Sequence, residues 1–249
     1  MALRESLYGI YQKCEQLLVP GLQYSQTVYE QVLGQYIHPD TVWLDLGCGH
    51  QVLPGWREAE ETRLVAGCKE IVGIDYDHHS LLNHRTISRR VRGDVSSLPF
   101  REDYFDLVTA NMVVEHLADP AAQFREVRRI LKPGGYFIFH TPNSRGYSTA
   151  IARLVPEGLK GKLIYLLDGR QEEDVFETHY KANTPEQIDD LARETRFRLV
   201  ELRTLVTNAT FALILPLALP ELLVIRLLRN EAFKKYRTGI ITVWQKLAE

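Results

Sequence analysis

The chain has 249 residues, enough for one sizeable α/β domain or one domain with a small appendage. Thirty Lys and Arg stand against 32 Asp and Glu, and no basic tract occurs, which argues against a nucleic-acid partner. Cys14, Cys48 and Cys68 are too widely spaced for a disulfide framework or a metal site. With no signal-peptide layout at the start, a reducing cytoplasm is the simplest setting.

Residues 1–41 read as helical. Leu3, Leu7, Ile10, Tyr11, Cys14, Leu17 and Leu18 recur at three- and four-residue steps. Pro20-Gly21 breaks the pattern, and a second helix is predicted from about Tyr24 to Ile37, before His38-Pro39-Asp40 turns the chain. Val42 to Leu46 is an apolar run of strand length that breaks into Gly47-Cys48-Gly49. A buried strand ending in a glycine turn at a helix start is where an α/β sheet holds a nucleotide-like ligand. Here an acid, Asp45, stands at the strand end. A carboxylate there repels phosphate and suits a ligand with an ammonium group or ribose hydroxyls.

Asp45-Leu-Gly-Cys-Gly49 resembles motif I of the class I S-adenosylmethionine-dependent methyltransferases, in particular the small-molecule group that includes the ubiquinone- and menaquinone-pathway enzymes. The resemblance implies an α/β fold, a Rossmann-like seven-stranded sheet with helices on both faces. It makes S-adenosylmethionine the cofactor and S-adenosylhomocysteine the product, and it places Asp45, Gly47, Cys48 and Gly49 at the cofactor. In the family such N-terminal helices often cap the active site, which would make Tyr8, Tyr11 and Tyr24 substrate-binding candidates. Helices packed on one sheet face are the plainer reading. The pattern departs from the family at Gln51, where a third small residue is usual, and Pro54-Gly55 follows soon after. The next helix is therefore expected late, with an altered loop around His50 and Gln51. Asp45 and Asp75 are 30 positions apart, against about 20 in a nucleotide-binding βαβ unit.

Residues 57–68 supply a helix, and Ile71 to Asp75 the second strand. An acid at that strand end hydrogen-bonds ribose hydroxyls. The resemblance gives this role to Asp75 and puts Tyr76 or Asp77 near the adenine; Asp77 reads equally well as a helix N-cap. Gly93-Asp94 followed by Leu98-Pro99-Phe100 is a second family signature. In it Asp94 would accept from the adenine amino group and the Val95 amide would donate to the ring. An Asx turn is the other reading of Asp94. The fourth strand, Tyr104 to Asn111, opens with the structural acid Asp106, and its end, Asn111-Met112, is expected beside the sulfonium. Asp119-Pro120 starts a helix with Phe124, Val127, Ile130 and Leu131 on one face. Leu131-Lys-Pro-Gly-Gly135 and the strand Tyr136 to His140 form the third signature.

Three histidines are candidate general bases, since an unperturbed imidazole titrates near ~6.5. They are His116 after the fourth strand, His140 at the end of the fifth, and His179. A structural or cofactor-contact role is the alternative for His116. Asn143 and Tyr180 join the substrate-binding candidates. No metal is expected, because methyl transfer needs none and Glu177 with His179 reads as a solvated or packed pair. Residues 144–183 are irregular and long enough for a substrate lid. Thr184-Pro185-Glu186-Gln187 is a capping box that starts a helix leading to the sixth strand, Phe197 to Val206.

Before the last strand, Ile240 to Lys246, an apolar insert occupies residues 207–238. The uncharged span from Thr204 to Pro220 holds two prolines and falls short of the ~20 apolar residues of a membrane crossing. Basic residues follow at Arg226, Arg229, Lys234, Lys235 and Arg237. An extra helical pair, a substrate cover or dimer face, and an amphipathic element on a membrane surface all fit.

The resulting expectation is a helical cap over residues 1–40 and a methyltransferase domain over residues 41–249. It would act on a small molecule, not nucleic acid, as a monomer or homodimer in the cytoplasm, with peripheral membrane contact through 207–238 left open. The expected activity is methyl transfer to an oxygen or nitrogen of a small, lipophilic or ring-bearing metabolite. Methylation of a cell-surface glycan or lipid precursor at the membrane, and S-adenosylmethionine binding without catalysis, are the alternatives.

Overall fold

The computed structural model describes residues 2–154, 177–207 and 209–248. Its strands are β1 (Val42–Leu46), β2 (Glu70–Asp75), β3 (Arg89–Arg92), β4 (Phe105–Asn111), β5 (Leu131–Pro142), β6 (Phe197–Leu205) and β7 (Gly239–Lys246). They form one sheet in the order β3-β2-β1-β4-β5-β7-β6. The first five pair with one another in parallel. β7 is not: Thr242 bonds Glu201 while Gln245 bonds Arg198, so partner numbers fall as those of β7 rise. The order reverses between β1 and β4, the point where an open α/β sheet leaves a crevice beyond its strand ends. All five residues of β1 are buried, as expected for the central strand of a sheet covered on both faces.

The chain divides into two compact units. One comprises Gln26–Thr141, Thr178–Arg203 and Ile240–Glu249, and holds nearly all of the sheet. Its helices are α2 (Ser25–Leu33, all but its first residue), α3 (Glu58–Ala66), α4 (His78–Leu82), α5 (Pro120–Ile130) and α7 (Pro185–Glu194). α5 starts where Asp119 accepts from the Ala122 amide, and α7 where Thr184 accepts from the Gln187 amide. The core gathers around Phe124 on α5, whose ring lies 5.4 Å from Phe137, 5.7 Å from Phe139 and 5.1 Å from Trp244.

Two boundaries differ from expectation by more than two residues. α2 ends at Leu33, because Gly34, a poor helix former, begins a turn closed by the Gln35-to-Val32 and Tyr36-to-Leu33 bonds. β5 begins at Leu131 instead of Tyr136. Phe105 pairs with Leu131 and Leu107 with Tyr136, so the Lys132–Gly135 turn is an irregularity inside the strand. That places Lys132 Nζ 2.8 Å from both carboxylate oxygens of Asp106, which also accepts from the Val42 amide at 2.9 Å.

The other unit comprises Met1–Ser25, Pro142–Glu177 and Thr204–Gly239. It contains α1 (Ala2–Leu18), α6 (Tyr147–Leu154) and α8 (Leu215–Leu228), followed by a short 3-10 helix, Glu231–Tyr236. Tyr11, Val19, Val206, Leu222, Ile225 and Leu228 form its core. Glu221 is buried there, accepting from the Thr210 amide (2.7 Å), the Phe211 amide (2.9 Å) and the Tyr147 hydroxyl (2.9 Å), and so fixes the entry to α8. The helical stretch 1–40 is thus shared between the units, α1 in one and nearly all of α2 in the other. Residues 155–176, the middle of the expected lid, lie outside the described residues.

Truncating Phe124 should be costly, because three aromatic neighbours cannot close the gap together. Phe124→Ala is expected to lower unfolding free energy by about 3–5 kcal/mol, read from urea titration of tryptophan fluorescence. A loss below about 1 kcal/mol would contradict this description of the core.

Candidate functional site

β1, β2, β4 and β5 end side by side. Asp45 is in register with Gly73 of β2 and Thr109 of β4. Thr109 Oγ1 accepts from Trp43 Nε1 (2.7 Å) and donates to Asp45 Oδ1 (2.5 Å). Asp45 is only 2% exposed. Burial raises its carboxyl to about 7; the Thr109 hydrogen bond opposes that shift, and Glu61 and Asp75 add to it.

The loop that follows is built on close approach. Gly47 has φ +60°, and a Cβ there would stand 2.5 Å from a methyl carbon of Val113. The Cys48 amide donates to Ile74 O (3.1 Å), and its buried thiol packs where a Cβ on Gly73 would stand 2.7 Å from the sulfur. Burial pushes the Cys48 thiol well up, so it is a packing group. The Gly49 amide donates to Asp75 Oδ2 (2.8 Å) and the Asp77 amide to Asp75 Oδ1 (2.8 Å). Asp77 itself caps α4, accepting from the amides of His79 and Ser80.

Past Gly49, ion pairing replaces the missing small residue. Helix α3 starts only at Glu58, after Pro54 and a 3-10 turn at Gly55–Arg57. Glu61, fully buried, accepts from the Leu53 amide (2.9 Å), the Thr86 hydroxyl (2.6 Å) and the Arg85 guanidinium. Arg85 also donates to Leu53 O (3.0 Å) and Gln51 Oε1 (3.4 Å), and its amide donates to His50 O (2.9 Å). A buried carboxylate needs such a set of donors.

At the ends of β4 and β5, Asn111 and His140 are register partners. Asn111 and Gln26 exchange hydrogen bonds (3.0 and 3.2 Å), and Asn111 Nδ2 also donates to Val52 O (3.2 Å). This orients Asn111 Oδ1 as the acceptor for His140 Nδ1 at 2.9 Å, so Nδ1 carries the proton and Nε2 the lone pair. His140 is buried beside the Tyr29 ring, 5.8 Å between centroids, and burial lowers its pKa to about 4. Met112 adopts φ +59° and donates its amide to His140 O (2.8 Å). Arg57 clamps α2 to the altered loop through both oxygens of Glu30 (2.6 and 2.8 Å).

A second group lies after β4. His116 closes the 3-10 turn Val114–His116, with Nε2 3.9 Å from Glu115 Oε1. Glu115 is buried and accepts from Thr141 Oγ1 (3.0 Å), and its backbone carbonyl accepts from the amides of His179 (2.8 Å) and Tyr180 (3.2 Å). Tyr76 is 54% exposed. Asp94 is exposed and Val95 half-buried; Asp94 Oδ1 accepts from the Ser96 amide (2.7 Å), forming an Asx turn.

The remaining substrate-binding candidates belong to the other unit. Tyr11 and Tyr24 donate to the buried carboxylate of Glu15 (2.6 and 3.1 Å), and the Tyr8 ring lies 5.8 Å from that of Tyr11. Burial, then Glu15, drive the Tyr11 pKa far up. Asn143 is fully buried; Nδ2 donates to the carbonyls of Lys235 (3.0 Å) and Arg237 (2.7 Å), while Oδ1 accepts from the Arg145 amide (3.0 Å).

Residues 44–139 match the family described as "Methyltransferase domain". Over this stretch the chain is similar to S-adenosylmethionine-dependent methyltransferases. It is 31% identical over 127 residues to a probable S-adenosylmethionine-dependent methyltransferase of Mycolicibacterium smegmatis, 49% of this chain and 46% of that protein. It is 32% identical over 131 residues to the ubiquinone biosynthesis O-methyltransferase of Bordetella pertussis, 46% of this chain and 52% of that one. The match thus spans about half the length of these curated relatives. In fold it is similar to an S-adenosylmethionine-dependent methyltransferase of Mesorhizobium loti, with TM-score 0.57 and 20% identity over 87% of this chain and 95% of the other. It is also similar to a structure described as a complex between the Haloferax volcanii Trm112 methyltransferase activator and the putative methyltransferase, with TM-score 0.59 and 17% identity over 96% and 95%.

Gln26, Tyr29, Glu61, Arg85 and Thr109 were not singled out by sequence. None lies in a motif, and each matters through a partner that is distant in sequence.

Two buried histidines give the unit a pH signature. His84 is 8% exposed; its Nδ1 accepts from the amides of Thr86 (3.3 Å) and Ile87 (3.1 Å), and burial lowers its pKa to about 4, as for His140. Both are neutral when folded and protonate near ~6.5 when unfolded. Their contribution to stability should therefore be full above that pH and fall as pH drops towards 4, by roughly 3 kcal/mol for each histidine. Asp45, whose carboxyl is raised to about 7, acts in the opposite sense over the same range. His84→Gln keeps an acceptor but does not titrate, and should lose less stability than the wild type in thermal unfolding between pH 7 and 4, by roughly 3 kcal/mol. An unchanged slope would contradict the assignment.

Proposed function

We propose that the chain transfers the methyl group of S-adenosylmethionine to an oxygen or nitrogen of a small, lipophilic or ring-bearing metabolite. The observation that carries this reading is the pair of carboxylates, Asp45 and Asp75, at the ends of adjacent parallel strands of a methyltransferase domain. Two acids here suit a ligand with an ammonium, a sulfonium and ribose hydroxyls, and repel a phosphate. The residues fit that ligand. The loop backbone at Gly47 packs too close to Val113 for a side chain, and Asp75 has lone pairs beyond the two that accept from Gly49 and Asp77.

In this reading Asp75 holds the ribose, and Asp45 with Gly47, Cys48 and Gly49 faces the amino-acid end. Tyr76, Asp94 and the Val95 amide face the adenine, and Asn111, Met112 and His116 border the reacting methyl. S-adenosylmethionine supplies an activated methyl on sulfur, so the protein's part is chiefly positioning, which can contribute ~7–11 kcal/mol. The Gln26–Asn111–His140 set fixes the strand ends that position it. Burial makes His140 a weak base, which leaves His116 and His179 as the candidates to take a proton from the acceptor. Tyr180, next to His179, is the proposed substrate contact on that side. Tyr11, Tyr24 and Asn143 drop out, because their polar atoms serve the chain itself. Similarity to ubiquinone biosynthesis O-methyltransferases supports an oxygen acceptor.

The test is release of S-adenosylhomocysteine on incubation with S-adenosylmethionine and a panel of hydroxylated and aminated aromatics, with and without prenyl tails. Acceptor-dependent release is expected, strongest for apolar phenols. No release above background with any acceptor would contradict the reading. Asp75→Ala should weaken cofactor binding by about 10- to 100-fold, as expected for losing charged hydrogen bonds of ~1.5–3 kcal/mol; unchanged affinity would remove Asp75 from the ribose.

A further inference from the structure

Helix α8 is apolar on two opposite sides. Ala218, Leu222, Ile225 and Leu228 are buried in the core of their unit, one seam at three- and four-residue steps. Away from that seam, Leu217, Leu219, Leu223, Val224 and Leu227 are 40–55% exposed. A helix lying against water carries polar residues there, yet none appears before Arg226 except the buried Glu221. Charge sets in where the apolar face ends. Arg226, Arg229, Lys234 and Lys235 are all exposed. The one acid of that stretch, Glu231, is paired with Arg237 at 2.6 Å, so the remaining exposed charge of residues 226–236 is all of one sign. Tyr236 is 43% exposed, with the Lys235 ammonium 4.9 Å from its ring.

We infer that this face docks on an anionic lipid bilayer. The leucines and Val224 enter the boundary of the acyl chains, Tyr236 sits at the headgroups, and the four basic side chains meet lipid phosphates. The charge pattern selects a bilayer over a second copy of the chain, because two such faces would bring like charges together. Length selects lying over spanning. The 14 residues of α8 make a helix of about 21 Å against a hydrocarbon core of ~30 Å. No helix among the described residues is long and apolar enough to cross a membrane. This attachment is independent of the methyltransferase reading.

The test is flotation of the full chain with vesicles of phosphatidylcholine, alone or mixed with phosphatidylglycerol. The wild type should float with the mixed vesicles and stay behind with pure phosphatidylcholine. Leu223→Asp/Leu227→Asp alters only exposed positions and should abolish flotation while circular dichroism is retained. Lys234→Glu/Lys235→Glu should weaken vesicle binding by about 25-fold or more, from a factor of ~5 for each basic residue lost near the surface. A wild type that does not float, or a leucine variant that floats as well as the wild type, would overturn the inference. So would a dimer in sedimentation velocity that the leucine variant dissociates, without vesicle binding, because the face would then belong to a second copy.

Discussion

The hydrogen bond from the Gly49 amide to Asp75 ties the loop after β1 to the end of β2, and the rest of the candidate site depends on it. It brings the glycine turn within reach of an acid 26 residues further along the chain. It also divides labour between two carboxylates. Asp75 accepts from two backbone amides, whereas burial deeper in the sheet raises the Asp45 carboxyl to about 7 against the opposing hydrogen bond from Thr109. A cationic group arriving beside Asp45 would favour its charged form. Occupancy and protonation are therefore linked at this site.

Much of the frame was legible in sequence because its signals are local. Strand β1 shows as an apolar run ending in glycines, and α5 and α7 are announced by Asp119-Pro120 and Thr184-Pro185. Asp106 was expected to be structural, and it bridges Val42 and Lys132. The delayed helix after Gln51 also follows from local chemistry, since Pro54-Gly55 cannot continue a helix begun at the glycine turn.

What was not legible depends on partners far apart in the chain. Glu61 looks like one of several surface acids at the start of α3, and only the fold brings Arg85 and Thr86 to bury it. That network holds the loop in which Gln51 stands in place of a small residue, so the departure from the family pattern is compensated by a buried ion pair. His140 looked like a candidate base from its place at a strand end. Its environment, set by Asn111, Gln26 and Tyr29, turns it into a neutral, buried donor to Asn111. The Leu131-Lys-Pro-Gly-Gly135 signature reads as a loop, yet it lies within β5 as an irregularity of the ladder. The apolar stretch 207–238 was visible, but periodicity did not separate the seam of α8 facing its own core from the side facing out.

The central claim is that a cation with ribose hydroxyls binds between Asp45 and Asp75. The most direct test is calorimetric titration with S-adenosylmethionine and S-adenosylhomocysteine near pH 7, in two buffers of different ionisation enthalpy. The account predicts micromolar binding of both ligands, because both carry the ammonium and the ribose. It also predicts proton release, because Asp45, poised at about 7 in the free protein, ionises when the ammonium arrives. Absence of binding by either ligand would contradict the account, and binding with no buffer dependence would remove Asp45 from the site.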